Sequence, residues 1–228
     1  LDEEDRVRKF QAALYALLRS NPDHIMVGEI RDKASGRIAM RAALDGHLLW
    51  TTIHSNDAVS IPLGLRERGV EDFYIYDASI IVGLIAQRLV RKLCTHCKVP
   101  FAEFERRHAN IVNPALFANL REIAGSRVGD IYFANDDGCD HCNHRGYKGR
   151  CATAEVVRPD QEFFDLLKND GRDAAIKHWL KNCNGLLMLE HGVQKIIRGE
   201  VDAREIEDRI GPLSEFRFDR REHVIGMV

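Results

Sequence analysis

Two short apolar segments with a helix-length gap between them constrain the fold most strongly. Residues 25–27 and 48–53 are rich in β-branched, aromatic and other apolar side chains, which is typical of buried strands. Parallel neighbouring strands need a crossover of about a dozen residues or more, and the gap provides one. We therefore expect two parallel strands, buried on both faces, in an α/β sheet flanked by helices.

The gap itself carries the signals of a helix. Asp32 is a suitable N-cap, Ala34, Ile38, Ala42 and Ala43 recur on one side, and Gly46 follows where a helix commonly ends. Before the first strand, Asn21-Pro22-Asp23 predicts a turn. Residues 3–19 predict another helix, whose apolar face comprises Phe10, Leu14, Leu17 and Leu18.

Both predicted strands end in an ionisable side chain. Glu29 follows the first strand directly after Gly28, and His54 follows the second. The carboxyl ends of parallel strands lie at one edge of the sheet, where open α/β sheets bind ligands. A nucleotide-hydrolysing enzyme would place a base or a metal ligand there. The plain alternative is that these charged groups only cap their strands.

The remainder of the chain predicts further alternating elements. Asp57 can begin a helix that ends near Gly69, and residues 73–85 are apolar enough for a buried helix. Residues 87–93 predict a strand, and residues 151–157 predict a strand that returns to the main sheet. Helices are expected at 115–123, 161–169, 172–182, 187–198 and 202–209. The last fifteen residues give no clear pattern.

Four of the six cysteines form two Cys-x-x-Cys pairs, Cys94 with Cys97 and Cys139 with Cys142. Two such pairs can supply four thiolates to one tetrahedral ion, which is the usual geometry of structural zinc. Residues 98–138 would then form a long excursion closed by the metal. Four protein ligands leave no open position for a substrate, so the predicted role is structural.

Three other interpretations of the cysteines remain open. Disulfides need an oxidising compartment, for which the sequence carries no signal, and a redox-active pair would not normally occur twice. A site of three thiolates and one imidazole could use His96, His141 or His144. The isolated Cys151 and Cys183 are most simply buried small apolar residues.

Composition excludes some classes of protein. The chain has 228 residues, which is enough for one or two domains. Its formal net charge is −2, so it lacks the excess of basic residues that would favour binding to nucleic acid or to an anionic membrane. Its cations around the cysteines are scattered and lack an aromatic stacking platform, so a nucleic-acid-binding zinc domain is a weak alternative. These cations are Arg88, Arg91, Lys92, Arg106 and Arg107.

Three stretches identify a family. Residues 21–32 (NPDHIMVGEIRD) resemble the Walker B box of the secretion ATPase superfamily, the motors of type II secretion and type IV pilus assembly. Residues 46–58 (GHLLWTTIHSNDA) resemble its histidine box. Residues 87–94 (QRLVRKLC), with the second cysteine pair, resemble the zinc-binding subdomain of its assembly and secretion members, which retraction members typically lack. The likeness extends over residues 10–209 in the order of the family.

The resemblance implies a role for each matching residue. Glu29 matches the Walker B glutamate, expected to orient or deprotonate the attacking water and to help hold Mg²⁺. His54 matches the residue thought to sense the γ-phosphate of ATP. The zinc ligands are matched by Cys94, Cys97, Cys139 and Cys142. Arg31 receives no role beyond pairing with a carboxylate. The family further implies a homohexamer on the cytoplasmic face of the inner membrane, working with a polytopic platform protein and not with nucleic acid.

One expected motif is absent. The chain contains no Gly-x-x-x-x-Gly-Lys-Ser/Thr phosphate loop (Walker A), and Gly28 stands where many P-loop enzymes carry an aspartate. Because the chain also begins without Met, we expect it to be the C-terminal motor portion of a longer ATPase. On its own it is expected to bind ATP poorly and to be inactive.

The resulting prediction is a partial RecA-like P-loop ATPase domain at residues 1–93, a tetracysteine zinc subdomain at 94–150, and a final core strand with a C-terminal helical region at 151–228. The predicted function is ATP hydrolysis that powers type IV pilus assembly or type II secretion. The alternative is a non-catalytic, zinc-bearing interaction module of related fold.

Overall fold

The computed structural model describes residues 3–20 and 22–228. The first two residues, Asn21 of the predicted turn and the side chain of Phe10 lie outside the described part of the chain. Within that part, no helix is both long enough and apolar enough to cross a membrane.

Helices and short strands alternate along the chain. The elements in order are α1 (Glu3–Arg19), β1 (His24–Val27), α2 (Lys33–Leu44), β2 (Leu48–Thr51), α3 (Ile61–Glu67), α4 (Asp72–Ile75), β3 (Leu84–Leu93), β4 (Val99–Pro100), α5 (Phe101–His108), α6 (Pro114–Ala124), β5 (Tyr132–Phe133), β6 (Tyr147–Val157), α7 (Gln161–Asn169), α8 (Arg172–Asn182), α9 (Met188–Ile197), α10 (Ala203–Arg209) and α11 (Arg221–Gly226).

The chain divides into two compact units, each built from two separate segments. The first unit contains the residues up to Ala86 together with Val156–Gly185. The second contains Gln87–Glu155 and Leu186–Val228. The functional division at residues 93 and 150 stays a prediction.

The central feature of the first unit is the parallel pairing of β1 with β2. The register runs from His24 beside Leu48 to Val27 beside Thr51, with α2 as the crossover. Asp32 caps α2 as predicted: its side chain accepts the backbone N–H of Ser35 at 2.8 Å, and the Ser35 hydroxyl lies 3.3 Å from the Asp32 amide nitrogen. The predicted β–α–β unit is therefore confirmed.

The prediction that these strands are buried on both faces is wrong for the described residues. Ile25 and Val27 pack in one apolar cluster with α1 and α2, but Met26 is 66% exposed and Trp50 is 52% exposed. Successive side chains of a strand point to opposite faces, and helices cover only one face here. Because residues 25–27 are all apolar, the sequence shows no alternation of polar and apolar side chains that would have predicted an exposed face.

Helix α1 has the predicted extent, but its apolar face is narrower than expected. Leu14 is buried in the cluster with β1 and α2, and Leu18 packs against it. Leu17, assigned to the same face, is 47% exposed. It lies only one position from Leu18, about 100° around the helix, so both cannot point at the same neighbour.

The predicted buried helix at residues 73–85 is wrong. Helix α4 ends at Ile75, and the Asp77 carboxylate then accepts hydrogen bonds from the backbone N–H and the hydroxyl of Ser79 at 2.8 and 2.6 Å. Such local side-chain bonds compete with helix formation. Strand β3 begins at Leu84, directly after Gly83.

The second unit is organised around an aromatic core. Phe101 and Phe104 of α5, Phe117 of α6 and Phe133 of β5 pack with one another, with ring centroids 4.2 to 6.4 Å apart. Helix α5 was not predicted, because the charges between and after its two phenylalanines hide their helical spacing.

Strand β6 was expected to return to the main sheet, and this expectation is wrong for the described residues. It pairs with β3, and β1 and β2 form a separate two-stranded sheet. The Thr153 hydroxyl also donates to the Arg88 carbonyl at 3.3 Å. Sequence pattern predicts a strand but not its partner, which depends on long-range packing.

The C-terminal helices agree closely with the prediction: α7 and α8 have the expected bounds, α9 is one residue shorter at each end, and α10 begins one residue later. The unassigned C-terminus contains α11, which buries Val224. Arg220, just before it, lies 2.7 Å from the buried Glu190 carboxylate of α9. The ion pair between Arg220 and the buried Glu190 therefore holds the C-terminal segment in place, although its sequence shows no clear pattern.

We predict that Asp32→Ala destabilises the first unit, because it removes the side-chain acceptor at the start of α2. The expected loss in the free energy of unfolding is about 1 kcal/mol, measured by urea denaturation. Asp45→Ala is the matched control. It removes only an exposed ion pair with Arg41 at 3.5 Å, so its cost should stay below about 0.5 kcal/mol. Equal losses in the two variants would contradict the capping role.

Candidate functional site

The pairing of β1 with β2 continues beyond both strands and determines where the next side chains lie. The Ile30 amide donates to the Thr52 carbonyl at 3.0 Å, and the Thr52 hydroxyl donates to the Gly28 carbonyl at 2.6 Å. Two chain segments are therefore held side by side past the sheet edge. Gly28 leaves open space at this point: an added Cβ would meet no atom within 4 Å.

Glu29 and His54 meet at this edge. His54 Nε2 lies 3.2 Å from Glu29 Oε1, and Arg31 Nε donates to the other carboxylate oxygen, Oε2, at 2.7 Å. The Glu29 side chain is 20% exposed, whereas the His54 side chain is 91% exposed. The structure thus brings together the two site residues that the sequence predicted, and Arg31 is the partner of the carboxylate.

The surroundings of Glu29 favour its ionised form. The hydrogen bond from Arg31 lowers the pKa of the Glu29 carboxyl; partial burial acts in the opposite direction, and the charges of Arg31, His54 and Arg68 lower the pKa further. A base works best when its pKa lies near the working pH. This carboxylate is therefore better suited to orienting a water molecule or holding a cation than to removing a proton.

Arg172 of α8 contacts the segment that follows His54. Its Nη2 lies 2.8 Å from Asp57 Oδ2, and its Nε lies 3.3 Å from the Ser60 hydroxyl. Asp57, predicted to cap a helix, accepts the Ser60 amide at 2.8 Å, and α3 starts after Ser60. Sequence reasoning missed Arg172 because no motif links it to a carboxylate more than a hundred positions away.

Arg68 is a second cation that sequence reasoning missed. Its guanidinium donates to the Gly64 carbonyl at 2.9 Å, and its charge contributes to lowering the pKa of Glu29. It follows α3 directly. Its only signal in the sequence was that it follows the histidine box (residues 46–58) along the chain, which is too weak to select it.

In the second unit, the four paired cysteines converge. The sulfur atoms are 3.8 Å apart between Cys94 and Cys139, 3.9 Å between Cys97 and Cys142, and 3.8 Å between Cys139 and Cys142. A tetrahedral ion with bonds of about 2.3 Å to sulfur requires sulfurs about 3.8 Å apart. The four thiols therefore fit a tetrahedral metal ion, and their separations exclude disulfides between them.

The backbone around the second cysteine pair is tightly folded. Gly138 has a φ of 61°, and a Cβ there would lie 2.4 Å from the His144 carbonyl carbon. The Cys142 amide donates to the Cys139 carbonyl at 3.0 Å, and the Cys94 amide donates to the Gly146 carbonyl at 2.9 Å. The Cys94 contact joins the two pairs through the backbone.

The thiols differ in how easily they ionise. Burial opposes ionisation of Cys142, but hydrogen bonds from the backbone amides of Cys139, Gly146 and Arg145 outweigh it and lower the pKa of the Cys142 thiol to about 6. Burial and the neighbouring thiols raise the pKa of Cys97. Metals bind the thiolate form, and the backbone hydrogen bonds favour that form at Cys142.

The nearby imidazoles are placed differently. His96 and His141 stack on each other with ring centroids 3.8 Å apart, and His144 lies 3.2 Å from the Asp140 carboxylate. In the described part of the chain, the ligand atoms that converge at the paired cysteines are the four sulfurs.

Comparison with known proteins is consistent with this architecture. The family model described as "Type II/IV secretion system protein" matches residues 3–208. The type II secretion system ATPase E of Vibrio cholerae is 34% identical over 198 residues, covering 86% of this chain and 36% of that protein. The type IV pilus assembly ATPase PilB of Thermus thermophilus is 39% identical over 206 residues, covering 87% of this chain and 22% of that protein.

Among solved structures, the ATPase DotB of Legionella pneumophila matches with a TM-score of 0.53 and 22% sequence identity. The match covers 87% of this chain and 41% of the DotB chain. At that identity the likeness shows a shared ATPase fold alone. The chain thus spans well under half of the length of each of these proteins.

We predict that Arg31→Gln raises the pKa of Glu29, because it removes the main hydrogen bond and a positive charge. Because the pKa of the Glu29 carboxyl is lower in the folded state than its ordinary value, ionised Glu29 stabilises the fold. That contribution is present above the ordinary carboxyl pKa and is lost as the pH falls through the lowered pKa. NMR titration of the Glu29 carboxyl carbon measures the shift. Arg37→Gln, whose guanidinium pairs with Glu71 at 3.9 Å, is the control and should leave the Glu29 midpoint unchanged.

Proposed function

This chain belongs to the type II/IV secretion system protein family, and we propose that it forms part of a motor ATPase that powers type IV pilus assembly or type II secretion. The observation that carries the proposal is the cluster at the sheet edge, where Glu29 contacts both His54 and Arg31. Related proteins of this family are ATPases by name.

In this proposal Glu29 holds Mg²⁺ or orients the attacking water. An ionised carboxylate oxygen is the type of ligand that Mg²⁺ prefers, and the lowered pKa of Glu29 keeps that oxygen charged. Bound ATP and Mg²⁺ would supply the γ-phosphoryl group and neutralise the charge that develops on it. Arg31 positions Glu29 by holding Oε2, which leaves Oε1 facing His54.

His54 would act as the nucleotide sensor. Its imidazole is largely exposed and is held by the Glu29 carboxylate through Nε2. A phosphate oxygen would compete with Oε1 for that nitrogen, so nucleotide binding would alter the Glu29–His54 contact. Arg172, through Asp57 and Ser60, supports the segment that follows the histidine.

The tetracysteine cluster would hold a structural zinc ion. The spacing of the sulfurs suits zinc, and four protein ligands complete its coordination without an open position for substrate. The cysteine pairs also favour an assembly or export motor over a retraction motor.

Family membership supports the remaining parts of the proposal. The complete protein would form a homohexameric ring on the cytoplasmic face of the inner membrane, and its partner would be a polytopic platform protein. This chain, which spans 36% and 22% of two relatives, would need the rest of a longer protein for activity.

We predict that Glu29→Gln in the full-length protein slows ATP hydrolysis by about 100-fold or more while nucleotide binding persists, since only the carboxylate charge is removed. Steady-state phosphate release and fluorescent-nucleotide titration measure the two effects. Glu71→Gln, which removes an exposed carboxylate of the same unit, should retain full activity. Unchanged hydrolysis in Glu29→Gln would refute the assignment.

We predict that Cys139→Ser abolishes stoichiometric zinc binding at the paired cysteines and lowers thermal stability. A metal that binds only the folded state contributes about 4 kcal/mol when present at 1,000 times its dissociation constant. Metal analysis and thermal unfolding test this. Cys151→Ser, which removes a thiol outside the cluster, should retain the metal. Zinc content equal to that of the wild type in Cys139→Ser would disprove the site.

A further inference from the structure

We propose that Asp160, His178 and Cys183 form a second metal site, in the first unit, for a divalent transition cation of the zinc type. A carboxylate oxygen, an imidazole nitrogen and a thiol sulfur converge there within 4.8 Å of one another. Neither the family resemblance nor the proposed ATPase function accounts for this cluster.

The three ligand atoms form a compact triangle. His178 Nε2 lies 2.9 Å from Asp160 Oδ2, Cys183 Sγ lies 3.7 Å from the same oxygen, and Cys183 Sγ lies 3.9 Å from His178 Nε2. Tetrahedral zinc bonds of about 2.0 to 2.3 Å require ligand atoms roughly 3.3 to 3.6 Å apart. Each edge therefore needs to change by only a few tenths of an ångström.

The helical hairpin of α7 and α8 determines these positions. Asp160 is the N-cap of α7, where its Oδ1 accepts the Phe163 amide at 2.7 Å and also lies 3.0 Å from His178 Nε2, while Oδ2 lies near both His178 and Cys183. His178 lies on α8, and its side chain is only 5% exposed. Cys183 is the C-cap of α8.

Tight packing after α8 fixes the thiol. The amides of Cys183 and Gly185 both donate to the Trp179 carbonyl at 3.1 Å. A Cβ at Gly185 would lie 2.5 Å from the Trp179 ring, so the chain passes directly over the indole. The backbone therefore places Cys183 close to Asp160 and His178, and the residue is exposed there, not buried as the sequence predicted.

The ligand set selects the class of metal. A thiolate with an imidazole and a carboxylate suits zinc and similar borderline cations, whereas Mg²⁺ prefers oxygen ligands alone. Three protein ligands leave one position for water in a tetrahedral site. The cluster thus differs from the closed set of four cysteines in the second unit.

The groups around His178 can accommodate the proton that the metal would displace. With Nε2 facing Asp160, Nδ1 lies 3.0 Å from the Asn182 amide nitrogen and 3.7 Å from Glu162 Oε1. When Nε2 binds a metal, the ring proton resides on Nδ1, where the Glu162 carboxylate, or the Asn182 oxygen once the amide has turned over, can accept it. Outer partners of this kind orient metal-binding imidazoles.

A purely structural role accounts for only part of the cluster. Helix capping and the ion pair explain why Asp160 and His178 meet, but neither needs a thiol. A metal ion bound by all three groups would account for the thiol as well.

The test is alkylation of Cys183 in the full chain, followed by peptide mass spectrometry, with and without Zn²⁺. A metal-bound thiol does not react, so zinc at about ten times its dissociation constant should slow alkylation of Cys183 about tenfold. EDTA should reverse the protection, and Mg²⁺ should give none. Cys151, observed in the same digest, is the internal reference because it lies outside both cysteine-containing clusters.

Asp160→Asn is the matched variant. Asparagine still caps α7 and still accepts a hydrogen bond from His178, but it binds zinc poorly, so zinc protection of Cys183 should disappear while the circular dichroism stays unchanged. Unchanged alkylation of wild-type Cys183 in zinc would overturn the proposal. Protection of equal strength in Asp160→Asn would also overturn it, because the thiol would then bind zinc without the carboxylate.

Discussion

The parallel pairing of β1 with β2 is the constraint on which the candidate active site depends. The register places Val27 beside Thr51, and hydrogen bonds from Ile30 and Thr52 extend the pairing past the strands. A shift of one residue would turn each side chain to the opposite face of the strand and separate Glu29 from His54. The caps and the apolar cluster of α1 and α2 matter to function because they maintain this register.

Charge determines what the site can do once the backbone has brought its residues together. Arg31 holds one oxygen of Glu29, His54 contacts the other, and the pKa of the carboxyl falls as a result. An ionised, oriented carboxylate is suited to positioning and charge stabilisation, which are the main requirements of phosphoryl transfer. The long-range contacts of Arg172 with Asp57 and Ser60 extend the same support to the segment after the histidine.

The thiols are arranged differently in the two units. In the second unit, two distant pairs meet at a separation that suits a tetrahedral ion, and backbone amides favour the thiolate of Cys142. In the first unit, a single thiol is held beside a carboxylate and an imidazole by the turn that passes over Trp179. The first arrangement can be read from spacing, whereas the second has no motif because its three residues belong to a helix start, a helix interior and a helix end.

Local patterns in the sequence determined the β–α–β unit, most helices, the cap at Asp32 and the candidate residues Glu29, His54 and the four paired cysteines. Those features depend on short-range spacing and on turn and capping chemistry. Tertiary structure alone decided that one face of β1 and β2 is exposed and that β6 pairs with β3. It also decided that Arg172 reaches Asp57 and that Asp160, His178 and Cys183 converge. Each of these outcomes depends on which distant segment packs against a residue, and local spacing carries no information about that partner.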